Sequence, residues 1–169
     1  VVSVVGLEPE PLQVIRWSTS GKGKGVLATR PADSRMWLLP SAEGVLESPD
    51  VPILGSSKQD PSLIRLALPS GEVSHRFDNS RVTQAWMSGN GQRATVLSGL
   101  GHTITIIDLR TNAIEAEVTL RYETSFDCAA INDGGNQLAA ATRGGVLLLI
   151  DPSTGSVTET LDPNIGRSK

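Results

Sequence analysis

The stretch FDCAAINDGGNQLAAATRGGVLLLIDPSTGSVTETL, residues 126–161, reads as short apolar runs cut by three compact turns. Phe126–Ile131 leads to a turn at Asn132-Asp133-Gly134-Gly135, then to Gln137–Ala141. Thr142-Arg143-Gly144-Gly145 turns again before Val146–Asp151, and Pro152-Ser153-Thr154-Gly155 precedes Val157–Leu161. The Gly-Gly pairs here, and the Asn-Gly pair of the preceding stretch, supply the positive φ angles that tight hairpins need. The runs between them are short and rich in Val, Ile, Leu and Thr, as strands favour. Val146-Leu147-Leu148-Leu149-Ile150 is apolar throughout, which predicts a central strand covered on both faces by adjacent sheets.

The preceding stretch, residues 82–120, repeats this order. Val82–Met87, a turn at Ser88-Gly89-Asn90-Gly91, Arg93–Leu97, a turn at Ser98-Gly99-Leu100-Gly101, Thr103–Asp108, a turn at Arg110-Thr111-Asn112, and Ile114–Leu120 follow one another. Gly91 matches Gly135 at a spacing of 44, and Asp108 matches Asp151 at 43. A repeat of about 40–45 residues carrying four short strands is the signature of a β-propeller blade.

Weaker copies lie upstream. In residues 48–77, Ser48-Pro49-Asp50, Ile53–Ser57, Leu63–Leu66 and Pro69–Val73 fall in the order turn, strand, strand, turn. In residues 12–47, Val14–Trp17, Gly25–Thr29 and Arg35–Leu39 read as three strands, with a turn near Ser41–Gly44. Between Gly44 and Ser48 there is room for one strand where the other units place two. No amphipathic helix is evident. The expected fold class is all-β: about four blades of four antiparallel strands, with units at 12–47, 48–77, 82–120 and 126–161 in a single propeller-like domain spanning 1–169.

These residues resemble the WD-repeat and YVTN-type β-propeller superfamily. SPDVPILGSSKQDPSLIRLALPSGEV, residues 48–73, parallels that pattern of Ser-Pro-Asp turn, small-residue strand, polar turn, "IRLWD" strand and "TGE" turn. Ile106-Ile107-Asp108 and Leu149-Ile150-Asp151, the latter followed by Pro152-Ser153-Thr154-Gly155, match the same strand and turn. The resemblance covers residues 12–162. The Trp-Asp dipeptide itself is absent, with Leu66-Ala67, Ile107-Asp108 and Ile150-Asp151 in its place. Gly101-His102 sits between second and third strands rather than at the start of a repeat, so the family's Asp–His–Ser/Thr–Trp network is not carried over to any blade. The resemblance implies a degenerate WD-like propeller. WD-like rings mostly use more than four blades, so the chain is expected to be part of a ring completed by another chain, a second copy or a further segment.

Composition narrows the function. The net charge is −3 with no basic stripe, which argues against nucleic acid as the partner. The densest basic stretch, Gly21-Lys22-Gly23-Lys24-Gly25, lacks the Lys-Ser/Thr ending of a phosphate loop and reads as a solvated turn. The single Cys128 excludes an internal disulfide and, in an apolar run, is expected to be buried; it fits a reducing, cytoplasmic setting. No apolar run is long enough to span a membrane. The chain does not begin with Met, which is expected if it was processed or belongs to a longer polypeptide.

Chemistry is sparse. The two histidines, His75 and His102, stand in no HxxxH or HExxH spacing, no CxxC exists, and no GxSxG elbow appears. Neither a metal nor a cofactor is expected. His75 alternates with Val73 and Phe77 on what reads as an outer strand, and His102 follows a turn and reads as solvated. Carboxylate pairs such as Asp108 with Glu115 and Asp127 with Asp133 follow from repeated turns. Trp17 and Trp86 fall in first strands and Trp37 in a third, where they would fill gaps between blades. The alternative is an interaction hot spot, in which Trp, Tyr and Arg are enriched. On that reading the candidate partner-binding residues are Arg35, Trp37, Trp86, His102, Arg121 and Tyr122. The expected function is a non-catalytic protein-interaction scaffold, a subunit or segment of a larger assembly. The competing expectations are an enzyme-type propeller (a quinoprotein-like dehydrogenase or a lactonase) and a sensor domain of a multidomain protein.

Overall fold

The computed structural model describes residues 2–5, 12–17, 24–30, 34–39, 44–49, 63–68, 70, 72–77, 82–120 and 124–162. The chain divides into two compact units, Val1–Arg81 and Val82–Lys169. Among the described residues there is no α-helix, and the strands form one three-stranded and three four-stranded antiparallel sheets. No helix is long and apolar enough to cross a membrane among those residues.

The second unit holds two sheets. The first is β8 (Val82–Met87), β9 (Arg93–Ser98), β10 (Thr103–Asp108) and β11 (Ala113–Thr119); the second is β12 (Phe126–Ile131), β13 (Leu138–Thr142), β14 (Leu147–Ile150) and β15 (Val157–Leu161). In both, each strand pairs only with its sequence neighbour, the pattern that short connections of four to six residues enforce. Their registers coincide: Ile104 opposes Leu97 and Val118, and Leu147 opposes Ala141 and Leu161. A register shift follows Ile106 in one and Leu149 in the other, 43 residues apart, so even the irregularity repeats.

Alternation does the packing. Leu97, Ile104, Ile106 and Val118 point from the first sheet toward Phe126, Ala129, Leu138, Ala140, Leu148 and Ile150 of the second, forming one buried cluster. Each fully buried Ile or Leu here is worth about 1.5–3 kcal/mol. β9 and β10 are buried along nearly their whole length. β14 is not. Leu148 and Ile150 are buried while Leu147 and Leu149 are half-exposed, so the expected cover on both faces is present on one. Cys128 also departs from expectation: it is an exposed free thiol, because it pairs with Ala141 on the open face rather than facing the core.

The first unit begins with β1 (Val2–Val5), β2 (Leu12–Trp17) and β3 (Lys24–Arg30), paired in that order. Its four-stranded sheet is β4 (Ser34–Leu38), β5 (Gly44–Pro49), β6 (Leu63–Ala67) and β7 (Val73–Phe77). This corrects the unit boundaries expected at 12–47 and 48–77. Ser34–Leu38 opens a sheet instead of standing third in one, so Trp37 lies on a first strand and Trp17 on a second. The Leu39 amide donates to the Gly44 carbonyl at 3.0 Å, closing a hairpin at the turn expected near Ser41–Gly44. A Cβ at Gly44 would lie 2.8 Å from the Leu66 carbonyl oxygen, so the close approach of β6 demands glycine there. Ser48 and Pro49 finish β5 rather than forming a turn, with Pro49 at the strand end, where proline is tolerated. The strand expected at 53–57 lies outside the described residues. His75 is half-buried on the fourth strand, its ring 4.6 Å from Phe77 edge to face, as its alternation suggested.

Candidate interaction surface

One end of the second unit is built around the β9–β10 turn. Gly99, Leu100 and Gly101 take φ values of 58°, 59° and 91° in succession, a left-handed run that costs a residue with a Cβ about 1–2 kcal/mol. Gly101 has no alternative: a Cβ there would meet the Phe126 carbonyl oxygen at 3.0 Å and Ser125 Cβ at 3.3 Å. Leu100 carries the strain and is 78% exposed, so its apolar side chain is held out to solvent by a backbone shape it does not itself favour.

The neighbouring turns lock this end. The His102 amide donates to the Gly99 carbonyl at 3.2 Å, and the Leu120 amide donates to the His102 carbonyl at 2.8 Å. The Arg143 amide donates to the Ser125 carbonyl at 2.8 Å, tying the β13–β14 turn to the approach of β12. Arg143 and Asp127 form an exposed ion pair at 3.5 Å. The end therefore displays an apolar tip, a half-buried imidazole and a charge pair on a rigid frame.

The opposite end is knitted more tightly and offers less. Arg93 forks onto Glu115 at 2.6 and 3.1 Å and donates from Nη1 to the Gly135 carbonyl at 2.7 Å, bridging the two sheets. The Glu115 hydrogen bond raises the Arg93 pKa further above its ordinary value. Asn90 donates from its backbone to the Asp133 carbonyl and from Nδ2 to that of Gly134, at 2.9 and 3.0 Å. The matching aspartates close turns: Asp108 Oδ1 accepts the Arg110 amide at 2.7 Å, and Asp151 Oδ1 accepts the Ser153 amide at 2.8 Å. Hydrogen bonding from the Arg110 side chain holds the Asp108 carboxyl below its ordinary range, and that from Ser153 does so for Asp151. Both are turn-formers that stay ionised, the opposite of what a general acid needs. Among the described residues no group of His, Cys, Asp or Glu is placed to hold a metal ion.

The residues nominated from sequence do not converge. Arg35 is exposed and Trp37 half-buried on β4, in the first unit. Trp86 and His102 belong to the second unit: Trp86 is half-buried against the cluster between the sheets, and His102 sits at the locked end. Arg121 and Tyr122 lie outside the described residues. Leu100 was missed, although a lone large apolar residue between two glycines at a hairpin tip was a visible signal.

No family model matches the sequence, and no curated protein matches it. Solved structures do match in fold. The structure of U3-55K aligns with a TM-score of 0.58 at 16% identity, and the crystal structure of the RRP9 WD40 repeats with 0.58 at 17% identity. The fold is that of WD-repeat propeller blades. The alignment covers 77% of this chain and 42% of each of those chains, so this chain spans less than half the length of the WD-repeat structures it matches. With 986 matching solved chains the fold is a widely shared frame, and it specifies no function by itself.

Proposed function

We propose that the chain is a non-catalytic protein-interaction module of WD-repeat type, working as a subunit or segment of a larger assembly, with the β9–β10 end as its recognition surface. The exposed Leu100, fixed on three consecutive left-handed residues and braced by the 120 and 125 backbone, carries this reading. A preordered apolar tip loses little entropy on binding, and strain of this kind persists where function uses it. His102, Arg143 and Asp127 supply the polar surround that fixes orientation. Binding loops on rigid scaffolds are the expected use of such a body.

Quantitative co-purification from cells expressing the chain tests this. Leu100→Asp, and separately Arg143→Glu, should reduce recovery of specific partner proteins at least about tenfold relative to the unaltered chain, with circular dichroism unchanged. Equal recovery of the same partners by all three proteins would remove the surface from consideration.

A further inference from the structure

We propose that Asn90-Gly91 is a deamidation site, held back in the folded chain by the bonds that tie β8–β11 to β12–β15 and released when that contact opens. The pair is the single Asn-Gly in the sequence. Asparagine before glycine is the most reactive context, because glycine has no Cβ to hinder ring closure onto its amide nitrogen. The turn cannot do without it, since Gly91 takes a φ of 68° in the connection between β8 and β9. The fold therefore keeps a labile dipeptide at this place and has to restrain it.

Restraint comes from bonding rather than burial, because Asn90 is exposed. The buried Ser88 hydroxyl donates to Asn90 Oδ1 at 2.7 Å, and the Gln92 amide donates to the same oxygen at 3.0 Å. Nδ2 donates to the Gly134 carbonyl of the β12–β13 turn at 3.0 Å, and the Asn90 amide donates to the Asp133 carbonyl at 2.9 Å. The nucleophile is occupied as well: the Gly91 amide donates to the Ser88 carbonyl at 2.9 Å. Cγ reaches that nitrogen only when the side chain swings away from Ser88 and Gly134.

Once the contact opens, the Gly91 nitrogen gives its proton to solvent hydroxide and attacks Asn90 Cγ. The Cγ–Nδ2 bond breaks, Nδ2 leaves as ammonia, and a cyclic succinimide remains. Water then opens the ring at either carbonyl, giving aspartate or isoaspartate. Overall one water is consumed and one ammonia released.

The product does not fit the contact it left. A carboxylate oxygen replaces the Nδ2 donor that faced the Gly134 carbonyl, so two acceptors meet where a hydrogen bond stood. The new negative charge also arrives close to Asp133, whose Oδ1 packs against Gly89 at 2.5 Å from where a Cβ there would stand. Arg93, donating to the Gly135 carbonyl at 2.7 Å, still ties the sheets, so the contact is loosened and not severed. Opening permits the reaction, and the reaction makes the opening permanent.

Peptide mapping of the full chain by mass spectrometry, after incubation at about pH 8 and 37 °C, reads the reaction as a gain of about 1 Da at Asn90 together with isoaspartate there. The urea-unfolded chain sets the ceiling rate, and the folded chain should run at least about tenfold slower. Ser88→Ala, which frees Oδ1, should deamidate at least about threefold faster than the unaltered folded chain. Where Ser88→Ala does not fold, urea below the unfolding transition replaces it: the rate in the unaltered chain should climb before circular dichroism changes. Asn90→Gln should show no gain on the same timescale, and Asn90→Asp, a mimic of the product, should unfold at lower urea. A folded chain that deamidates at the unfolded rate overturns the proposal. So does a rate that Ser88→Ala leaves unchanged, a rate flat up to the unfolding transition, or an Asn90→Asp midpoint equal to that of the unaltered chain.

Discussion

The sheet β8–β11 and the sheet β12–β15 share strand order, register and bulge position, yet their central strands live in different surroundings. β9 and β10 are buried on both faces, while β13 and β14 alternate between buried and half-exposed residues. The apolar content of β14, Leu-Leu-Leu-Ile, is no lower than that of β10. The difference is therefore one of neighbours: strands of similar apolar content differ in how much of their surface another sheet covers. The pair teaches that two repeats alike in strand order and register can differ in how much of each is covered.

Equivalent substitutions on the two sheets give the sharpest break. Ile106→Ala removes a fully buried side chain and should lower unfolding free energy by about 2–5 kcal/mol in urea titration. Leu149→Ala, at the matching position, should cost no more than about 1 kcal/mol. Equal costs would mean that the open face is covered within the single chain.

The turns provide the next contrast. Gly101→Ala faces both a φ of 91° and the Phe126 carbonyl 3.0 Å from its new Cβ, and should cost about 2–3 kcal/mol. Gly145→Ala, at φ 83° with open space around it, should cost about 1 kcal/mol from backbone conformation alone. Thermal unfolding of the two variants side by side reads this directly.

The smallest effect is electrostatic. Asp108 and Asp151 both have carboxyl pKa values below the ordinary range in the folded chain, so their stabilisation is present above the unfolded-state pKa and is lost as pH falls through the folded value. Stability should decline below about pH 4, and Asp108→Asn or Asp151→Asn should each flatten that decline. Added salt should mimic the Asp108 change, because Arg110 is its first cause, and leave the Asp151 change alone, because Ser153 is neutral. Urea midpoints measured from pH 3 to 7 at low and high salt check both.

The second half of the chain was legible to within a residue or two, because Gly-Gly, Asn-Gly and Thr-Gly turns punctuate runs of β-branched and aliphatic residues at a constant spacing. The first half was misdivided. The turn near Ser41–Gly44 was legible, but Arg35–Leu39 before it reads as the third strand of a sheet when it is the first, and Ser48-Pro49, which looks like a turn by analogy, completes a strand. The site was less legible still: Trp86 stood out by residue type but packs against the core, whereas Leu100, unremarkable by type, is what the backbone pushes outward.

By itself the sequence determined the class of fold, the strand count of its last two sheets and the positions of their turns, since these depend on local φ preferences and on side-chain alternation along a single strand. Only the tertiary structure decided which apolar faces are covered, that Cys128 looks outward, and that Leu100 is displayed on a braced turn. Burial is a property of what lies across from a residue, and no run of neighbours in sequence encodes what lies across.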